Sequence, residues 1–466
     1  MLTRLQLKNF KGWKDTKPVR MAPLTVFFGT NSSGKSSIEQ FLLMLKQTVD
    51  SSDRKMVLFP GDANTPVNLG SFEDLIFGRN LKNQLAFNFT WGLSEPLVVK
   101  DPITKNTRTG NSIQFEAEIG MRNQKHPKLA VNCFKYHLRE SDADQMSIGI
   151  GRSAALDTHY ELAAENYELK HQNGANFPIS PTKFYKFGDS VSAYYRNADF
   201  VKDFSLEFER LMRSIRYLGP LRNKGERLYN WSGSEPESVG YSGEHTISAL
   251  LAAADRKLNS GPNKRRRPFQ EFIAEKLQKL ELIESFKVAP ISNKRKEYEV
   301  KIKTPGSSFW VDLPDVGFGI SQILPVLVEC YYAPPRSILF IEQPELHLHP
   351  RAQAHLADLF IDVITSRENG LERNVQLIIE THSEHFLLRL QRRIAEAKSD
   401  YDIKQEQVAL YFAHTTGNQS RLIPLEVDAF GEISNWPENF FGDSMSDVFE
   451  KAKAASVRRQ QLKEPK

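Results

Sequence analysis

The octapeptide Gly29-Thr30-Asn31-Ser32-Ser33-Gly34-Lys35-Ser36 constrains this chain more than any other stretch, because it is a complete G-x-x-x-x-G-K-[ST] phosphate-binding loop. It follows an apolar run, Leu24-Thr25-Val26-Phe27-Phe28. It opens a stretch over 37–45 with Ile38, Phe41, Leu42 and Leu45 at helical spacing. Strand, loop and helix in that order are the context in which the pattern means a nucleotide site. The glycines let successive backbone N–H groups curl around a polyphosphate, and the helix N-terminus adds partial positive charge. Lys35 is expected to reach the β- and γ-phosphates, and the Ser36 hydroxyl to ligate Mg2+. Residues 29–36, with Ser37 at the helix start, are therefore expected to hold ATP or GTP.

The rest of the composition narrows the setting. At 466 residues the chain can hold two or three domains' worth of core. It has no run of 18 apolar residues, so a membrane span is not expected. Residues 1–7 alternate like a strand and lack the basic-then-apolar layout of a signal peptide. Two cysteines, Cys133 and Cys330, exclude a disulfide framework or a Cys-based zinc site, and fit a reducing cytoplasm. The net charge of +5 permits nucleic-acid contact without demanding it. Basic residues cluster at Lys264-Arg265-Arg266-Arg267, Lys294-Arg295-Lys296 and Arg458-Arg459. Such runs are more often solvated loops than binding sites, but they are the candidate footprint for a polyanion such as DNA.

Along the chain, the start reads as strand 2–8, a turn over 9–17, strand 24–28, the phosphate loop, and a helix over 36–48. Ser337-Ile338-Leu339-Phe340-Ile341 and Val375-Gln376-Leu377-Ile378-Ile379 are buried-strand runs, each followed by polar residues and a helical pattern. Strands alternating with helices predict a parallel sheet with ligands at the strands' carboxyl ends. Residues 84–91, 112–120 and 128–137 read as strands of an antiparallel layer, and 98–111, 140–156 and 172–182 as loops. Helical spacing marks 200–214, 244–258 and 267–281. No sustained heptad appears, which removes long coiled-coil arms.

Three later elements say more about the nucleotide site. Asp315-Val316-Gly317-Phe318-Gly319-Ile320-Ser321-Gln322 precedes an apolar helix over 323–330, a second candidate phosphate-facing amide cluster. Glu342-Gln343-Pro344-Glu345-Leu346-His347-Leu348-His349-Pro350 puts acids at the end of a buried strand, where one can hold Mg2+. Ile379-Glu380-Thr381-His382-Ser383 sets a histidine at the end of another.

In this order the motifs resemble the non-transporter ATP-binding-cassette ATPases of the RecF, SMC and OLD branch. Tyr217-Leu218-Gly219-Pro220-Leu221-Arg222, Asp428-Ala429-Phe430-Gly431-Glu432-Ile433 and Asn435-Trp436-Pro437-Glu438-Asn439-Phe440-Phe441 narrow it. They are similar to bacterial OLD-like ATPases with a small C-terminal domain of unknown function. The resemblance implies an α/β fold: a P-loop ABC-type head with an antiparallel β layer and a helical lobe. Its expected parts are 1–80 and 311–415 for the ATPase domain, 81–213 for an inserted β region, 214–310 for a helical/β lobe, and 416–466 for a C-terminal region with a basic tail. By position, Ser321 with Gly319 and Gln322 would contact the partner's nucleotide in an ATP-sandwich dimer. Glu342 would take the Mg2+-associated acid position and His382 that of the γ-phosphate switch histidine. Asn68-Leu69-Gly70-Ser71-Phe72 lies where a lobe-coupling loop usually carries Gln, and has none.

One departure bears on rate. The residue after Glu342, where such enzymes carry a glutamate that polarises water, is Gln343. An amide can position water but cannot accept its proton, so hydrolysis should be slow unless Glu345 substitutes. The resemblance further implies a bacterial phage-defence ATPase that gates a separately encoded effector; the alternative is a RecF-like clamp that grips DNA. OLD enzymes proper continue into a nuclease domain, for which residues 383–466 leave no room. His347 with His349 could suggest a metal pair but has no third ligand at zinc spacing. Trp436, Phe440 and Phe441 read as packing for the C-terminal lobe rather than a base-stacking platform. Arg222 suits either a phosphate or a surface ion pair.

Overall fold

In the computed structural model, the described residues are 1–122, 128–152, 159–172, 179–261, 264–292, 295–396, 403–437, 440 and 453–454. The strand Leu24–Gly29 is apolar on both faces because both are covered. It lies within a six-stranded sheet whose order is Ile215–Leu218, Ile338–Glu342, Gln376–Glu380, Leu24–Gly29, Val408–Thr416 and Gln419–Leu425. The first five are parallel, and the last returns antiparallel from Val408–Thr416.

Alternate side chains of this sheet enter two different cores, as the two-residue period of a strand requires. Phe27, Ile338, Phe340, Ile378 and Tyr411 join the helix Lys35–Asp50 and an antiparallel sheet on one side. Leu24, Val26, Phe28, Leu339, Ile341, Leu377 and Ile379 join the helices of the other side. Those helices are Thr246–Ala252, Phe269–Lys279, Phe318–Tyr332, Pro350–Thr365 and Glu384–Glu396. The molecule is thus α/β, with a β layer and a helical lobe on opposite faces of the P-loop sheet.

The antiparallel sheet runs Trp13–Asp15, Leu2–Phe10, Leu85–Lys100, Thr107–Arg122, Lys128–Glu140, Ala143–Arg152 and Tyr160–Glu165, with Val19–Arg20 also paired to Leu2–Phe10. Residues 85–165 therefore extend a sheet begun by the first strand of the chain. Four expectations need correction here. The loop expected over 98–111 is shorter, because polar residues continue the strands to Lys100 and from Thr107. The turn expected over 9–17 is shorter, because Leu2–Phe10 continues and Trp13–Asp15 pairs back with it. The region 140–156, expected to be a loop, carries the strand Ala143–Arg152. Its Gly149 and Gly151 read as turn residues, yet a Cβ on Gly149 would meet the Phe134 carbonyl oxygen at 2.5 Å. Glycine is there for close strand approach, not for a turn. The helical pattern over 244–258 also ends early, at Ala252, and Lys257–Asn259 is a strand.

Buried arginines tie the helical lobe together. Arg373, with no exposed surface, donates to the carbonyls of Cys330, Tyr331 and Ala333 at the end of Phe318–Tyr332. These are carbonyls a helix leaves without intrahelical partners. At the C-terminal side, Phe440 packs on Phe28 and Phe412 with ring centroids 5.5 and 4.8 Å apart. Phe440 thus packs against the P-loop sheet; Phe441 lies outside the described residues.

Gly149→Ala should cost about 1–3 kcal/mol through overpacking against backbone. Thermal unfolding should show a midpoint several degrees lower; an unchanged midpoint contradicts the packing account.

Candidate nucleotide site

The loop between Leu24–Gly29 and Lys35–Asp50 needs conformations that most residues avoid. Gly29 has φ 142°, Ser32 φ 60° and Gly34 φ 94°. A Cβ on Gly29 would lie 2.0 Å from the Ala413 carbonyl oxygen, so only glycine fits between the strands. Trp13 Nε1 donates to the Gly34 carbonyl at 3.2 Å and fixes the loop from below. Above it lies a cavity of about 330 Å³ lined by residues 31–37, Gln40, Gln343, Glu380 and His382.

Lys35 is 4% exposed, and its Nζ donates to the Gly29 and Thr30 carbonyls at 3.1 and 2.8 Å. Burial lowers its pKa, and the charges of Glu380, Glu345 and Glu342 pull it back. Glu342 and Glu380 arrive on two neighbouring strand ends in parallel register, Glu342 beside Glu380 and Glu380 beside Phe27. Glu380 accepts a 2.7 Å hydrogen bond from Ser36 Oγ and lies 3.8 Å from Lys35 Nζ. Glu342 instead accepts from the Tyr217 hydroxyl at 2.9 Å. Burial, then the charge of Glu380, pushes Glu342 up to about 7. Burial also raises Glu380. Glu39, one helical turn beyond Lys35, is fully buried, and neither of its carboxylate oxygens has a hydrogen-bond partner.

Gln343 and Glu345 occupy different places. Gln343 has a left-handed backbone, φ 44°, pinned by its N–H on the Glu380 carbonyl at 2.7 Å, and its residue lines the cavity. A non-glycine residue held there stores roughly 1–3 kcal/mol of strain, a cost found chiefly at functional sites. Glu345 is not on the cavity wall; its Oε1 accepts from the His382 backbone N–H at 2.7 Å. His382 lines the cavity, and burial followed by the Lys35 charge lowers its pKa, which favours neutral imidazole at pH 7.

Other singled-out residues lie elsewhere. Gly319, Ser321 and Gln322 are not on the P-loop cavity of their own chain. Ser321 Oγ donates to the Phe318 carbonyl at 2.8 Å in the first turn of its helix. Arg222 is not the surface ion pair that the sequence left open. It is buried and donates to the Glu342 carbonyl at 2.6 Å, while its own carbonyl accepts from Gln322 Nε2 at 3.2 Å. Burial lowers its pKa to about 10. Ser71 and Asp74 form a capping box on the helix Phe72–Leu75, giving residues 68–72 a structural use. His349 caps Pro350–Thr365, and His347 packs edge-on against Phe318. Among the described residues no three His, Cys, Asp or Glu side chains are grouped to hold a metal by themselves.

The donor set suits Mg2+ bound with a nucleotide. Mg2+ takes oxygen ligands and is usually held by one or two protein groups plus phosphates and water, not by a protein cage. Here the Ser36 hydroxyl and the Glu380 carboxylate adjoin at the phosphate loop, and the charges of Glu342 and Glu345 also act on Lys35. Glu380 is the functional candidate that sequence reasoning left without a role. Its signal was an acid closing an apolar strand in the same manner as Glu342.

A family model described as "AAA ATPase domain" matches residues 1–187, and one described as "AAA domain, putative AbiEii toxin, Type IV TA system" matches 188–389. A third, "Protein of unknown function (DUF3696)", matches 403–450. A protein of Helicobacter pylori (strain ATCC 700392 / 26695) named "ATP/GTP phosphatase" is 22% identical over 459 residues, 97% of this chain and 98% of that one. Among solved structures, the SMC head domain from Thermotoga maritima is 12% identical with a TM-score of 0.41, covering 91% of this chain and 99% of that one. The Smc head domain of Pyrococcus furiosus, bound to the C-terminal domain of ScpA, is 10% identical with a TM-score of 0.39, over 97% and 99%. With the loop geometry, the two AAA matches define the chain as a P-loop ATPase. Among the described residues no helix is long and apolar enough to cross a membrane.

Lys35→Ala should abolish nucleotide binding by calorimetry, since among the described residues no other lysine or arginine lines the cavity; undiminished affinity would contradict the site. A second expectation follows from Glu342. Its carboxyl keeps a proton in the folded chain after the unfolded chain has lost it, so its contribution to stability falls as pH rises from 4.5 to about 7. Without divalent cations, Glu342→Gln should become more stable relative to the parent across that window. A constant difference in unfolding midpoint contradicts it.

Proposed function

We propose that this P-loop ATPase is an ABC-type switch: two copies close head-to-tail around two ATP·Mg2+, hydrolyse them slowly, and gate a separately encoded effector. The observation that carries the slow step is Gln343 on the wall of the P-loop cavity, with Glu345 turned to the His382 backbone. An amide at that point leaves the attacking water without a proton acceptor. Head-to-tail closure is supported by the distribution of phosphate-binding features. The start of Phe318–Tyr332 lies off the P-loop cavity of its own chain, with Gly317 and Phe318 exposed and Gly319 half-buried. Those N–H groups are available to a neighbour's γ-phosphate. In this reading Lys35 leaves the loop carbonyls for the β- and γ-phosphates, Ser36 ligates Mg2+, and His382 touches the γ-phosphate.

A bacterial defence setting is supported by the OLD-like motifs and by the toxin–antitoxin description attached to residues 188–389. The RecF-like alternative, a clamp that grips DNA, rests on the basic runs. Arg267 is engaged by Glu275 at 2.8 Å. The Arg267–Pro268 strand pairs with Lys257–Asn259, which pairs with Arg367–Glu368 ahead of the strand Gln376–Glu380. The run therefore neighbours the amino ends of the parallel strands, away from the P-loop, which favours the switch. Lys294 and Arg458-Arg459 lie outside the described residues. A cytoplasmic location is part of the same reading.

Ser321→Arg should bind ATP but fail to dimerise, because a long cation would occupy the neighbour's phosphate site. Sedimentation showing ATP-driven dimers like the parent's would sink head-to-tail closure. Turnover should be roughly one per minute or slower, against a median enzyme near 10 per second. Gln343→Glu should raise it, and Glu345→Gln should leave it unchanged. Fast parent turnover untouched by either change would contradict the slow-switch reading.

A further inference from the structure

The strand order places Glu380, not Glu342, next to the phosphate loop. Gln376–Glu380 is hydrogen-bonded directly to the P-loop strand, and Ile338–Glu342 lies one strand farther out. Neighbouring strands are ~4.8 Å apart, which is close to the reach of a glutamate side chain. Glu380 lines the cavity and Glu342 does not.

The hydrogen bonds divide the two acids in the same way. Ser36 Oγ donates its one proton to Glu380 Oε2 at 2.7 Å, the length of a charge-assisted O–H···O bond. A hydroxyl has one proton and two lone pairs, so this bond turns the lone pairs of Ser36 away from Glu380 and leaves them for a cation. Glu342 is committed to the Tyr217 hydroxyl at 2.9 Å, and its backbone carbonyl to Arg222. Behind both, Glu39 presents a fully buried carboxylate with no hydrogen-bond partner. Glu380, Glu345 and Glu342 thus act on Lys35, and Glu39 is buried beside Glu342 and Glu380, a balance that a divalent cation would correct.

We propose that Glu380, paired with Ser36, is the carboxylate that holds the Mg2+ of bound nucleotide, with Glu342 standing behind it as a positioning residue. The inference rests on the nucleotide-site reading and changes which acid serves it. Glu380 orients the Ser36 hydroxyl and accepts from the water shell of the cation. Glu342, held by Tyr217, keeps the neighbouring strand end and the Gln343 turn in place.

The test replaces Mg2+ by Mn2+ and reads the Mn2+ affinity of the protein with a non-hydrolysable ATP analogue by electron paramagnetic resonance. Glu380→Gln should weaken Mn2+ by roughly 10–100-fold, the usual cost of losing a metal-orienting partner. Analogue binding in EDTA, which needs the loop and Lys35, should not weaken, since the change removes a negative charge beside the phosphates. Glu342→Gln should shift Mn2+ affinity much less. Glu380→Asp, which keeps the charge but shortens its reach, should fall between the parent and Glu380→Gln. Parent-like Mn2+ affinity in Glu380→Gln, or a larger loss in Glu342→Gln, overturns the proposal. A parent chain that binds no analogue with or without metal overturns the nucleotide site instead.

Discussion

One buried ammonium facing several buried carboxylates is the interaction on which the rest of this structure turns. Lys35 lies among Glu380, Glu345 and Glu342, and Glu39 adds a fourth acid on the same helix. Charges taken out of water are costly unless paired, and here the acids are in excess. The excess is relieved partly by protonation, as the raised Glu342 and Glu39 indicate. Phosphates cannot supply the missing positive charge; a divalent cation arriving with them can. In this respect the cluster suits a metal–nucleotide complex better than a bare anion.

The fold holds that cluster by position in a sheet, not by loops. Glu342 and Glu380 are register partners on parallel strands, and the P-loop strand is the next neighbour. Because this sheet separates two cores, a shift of one strand end would be felt by both the β layer and the helical lobe. Arg222 adds a direct link. Its guanidinium grips the Glu342 carbonyl while its own carbonyl is held by Gln322 from the first turns of Phe318–Tyr332. The strand end at Glu342 and the start of Phe318–Tyr332 are two hydrogen bonds apart.

Much of this was legible in the sequence where chemistry is local. The phosphate loop announces itself by glycine spacing, and the strands ending at Glu342 and Glu380 by unbroken apolar runs. Alternation shows the strands over 84–91, 112–120 and 128–137, but not their continuation through 98–100 and 107–111, where polar and turn residues read as a loop. What stayed hidden depends on register between distant segments. Glu380 gains its meaning only from lying beside Phe27 and within reach of Ser36, 344 residues away in sequence. Arg222 looked like a surface or phosphate group because nothing nearby in sequence foretells carbonyls at 342 and 343. Ala143–Arg152 was obscured by glycines that serve close strand packing. Gln343, by contrast, was readable from its place after Glu342, and its strained backbone was not.

The most direct test of the account compares unfolding midpoints at pH 8, where the free acids are most ionised, with ATP plus Mg2+ and with ATP plus EDTA. Stabilisation by a ligand scales with its affinity for the folded chain. The account predicts a clearly larger rise with Mg2+·ATP than with ATP alone, and little rise with Mg2+ alone. Equal stabilisation by ATP in Mg2+ and in EDTA would contradict it.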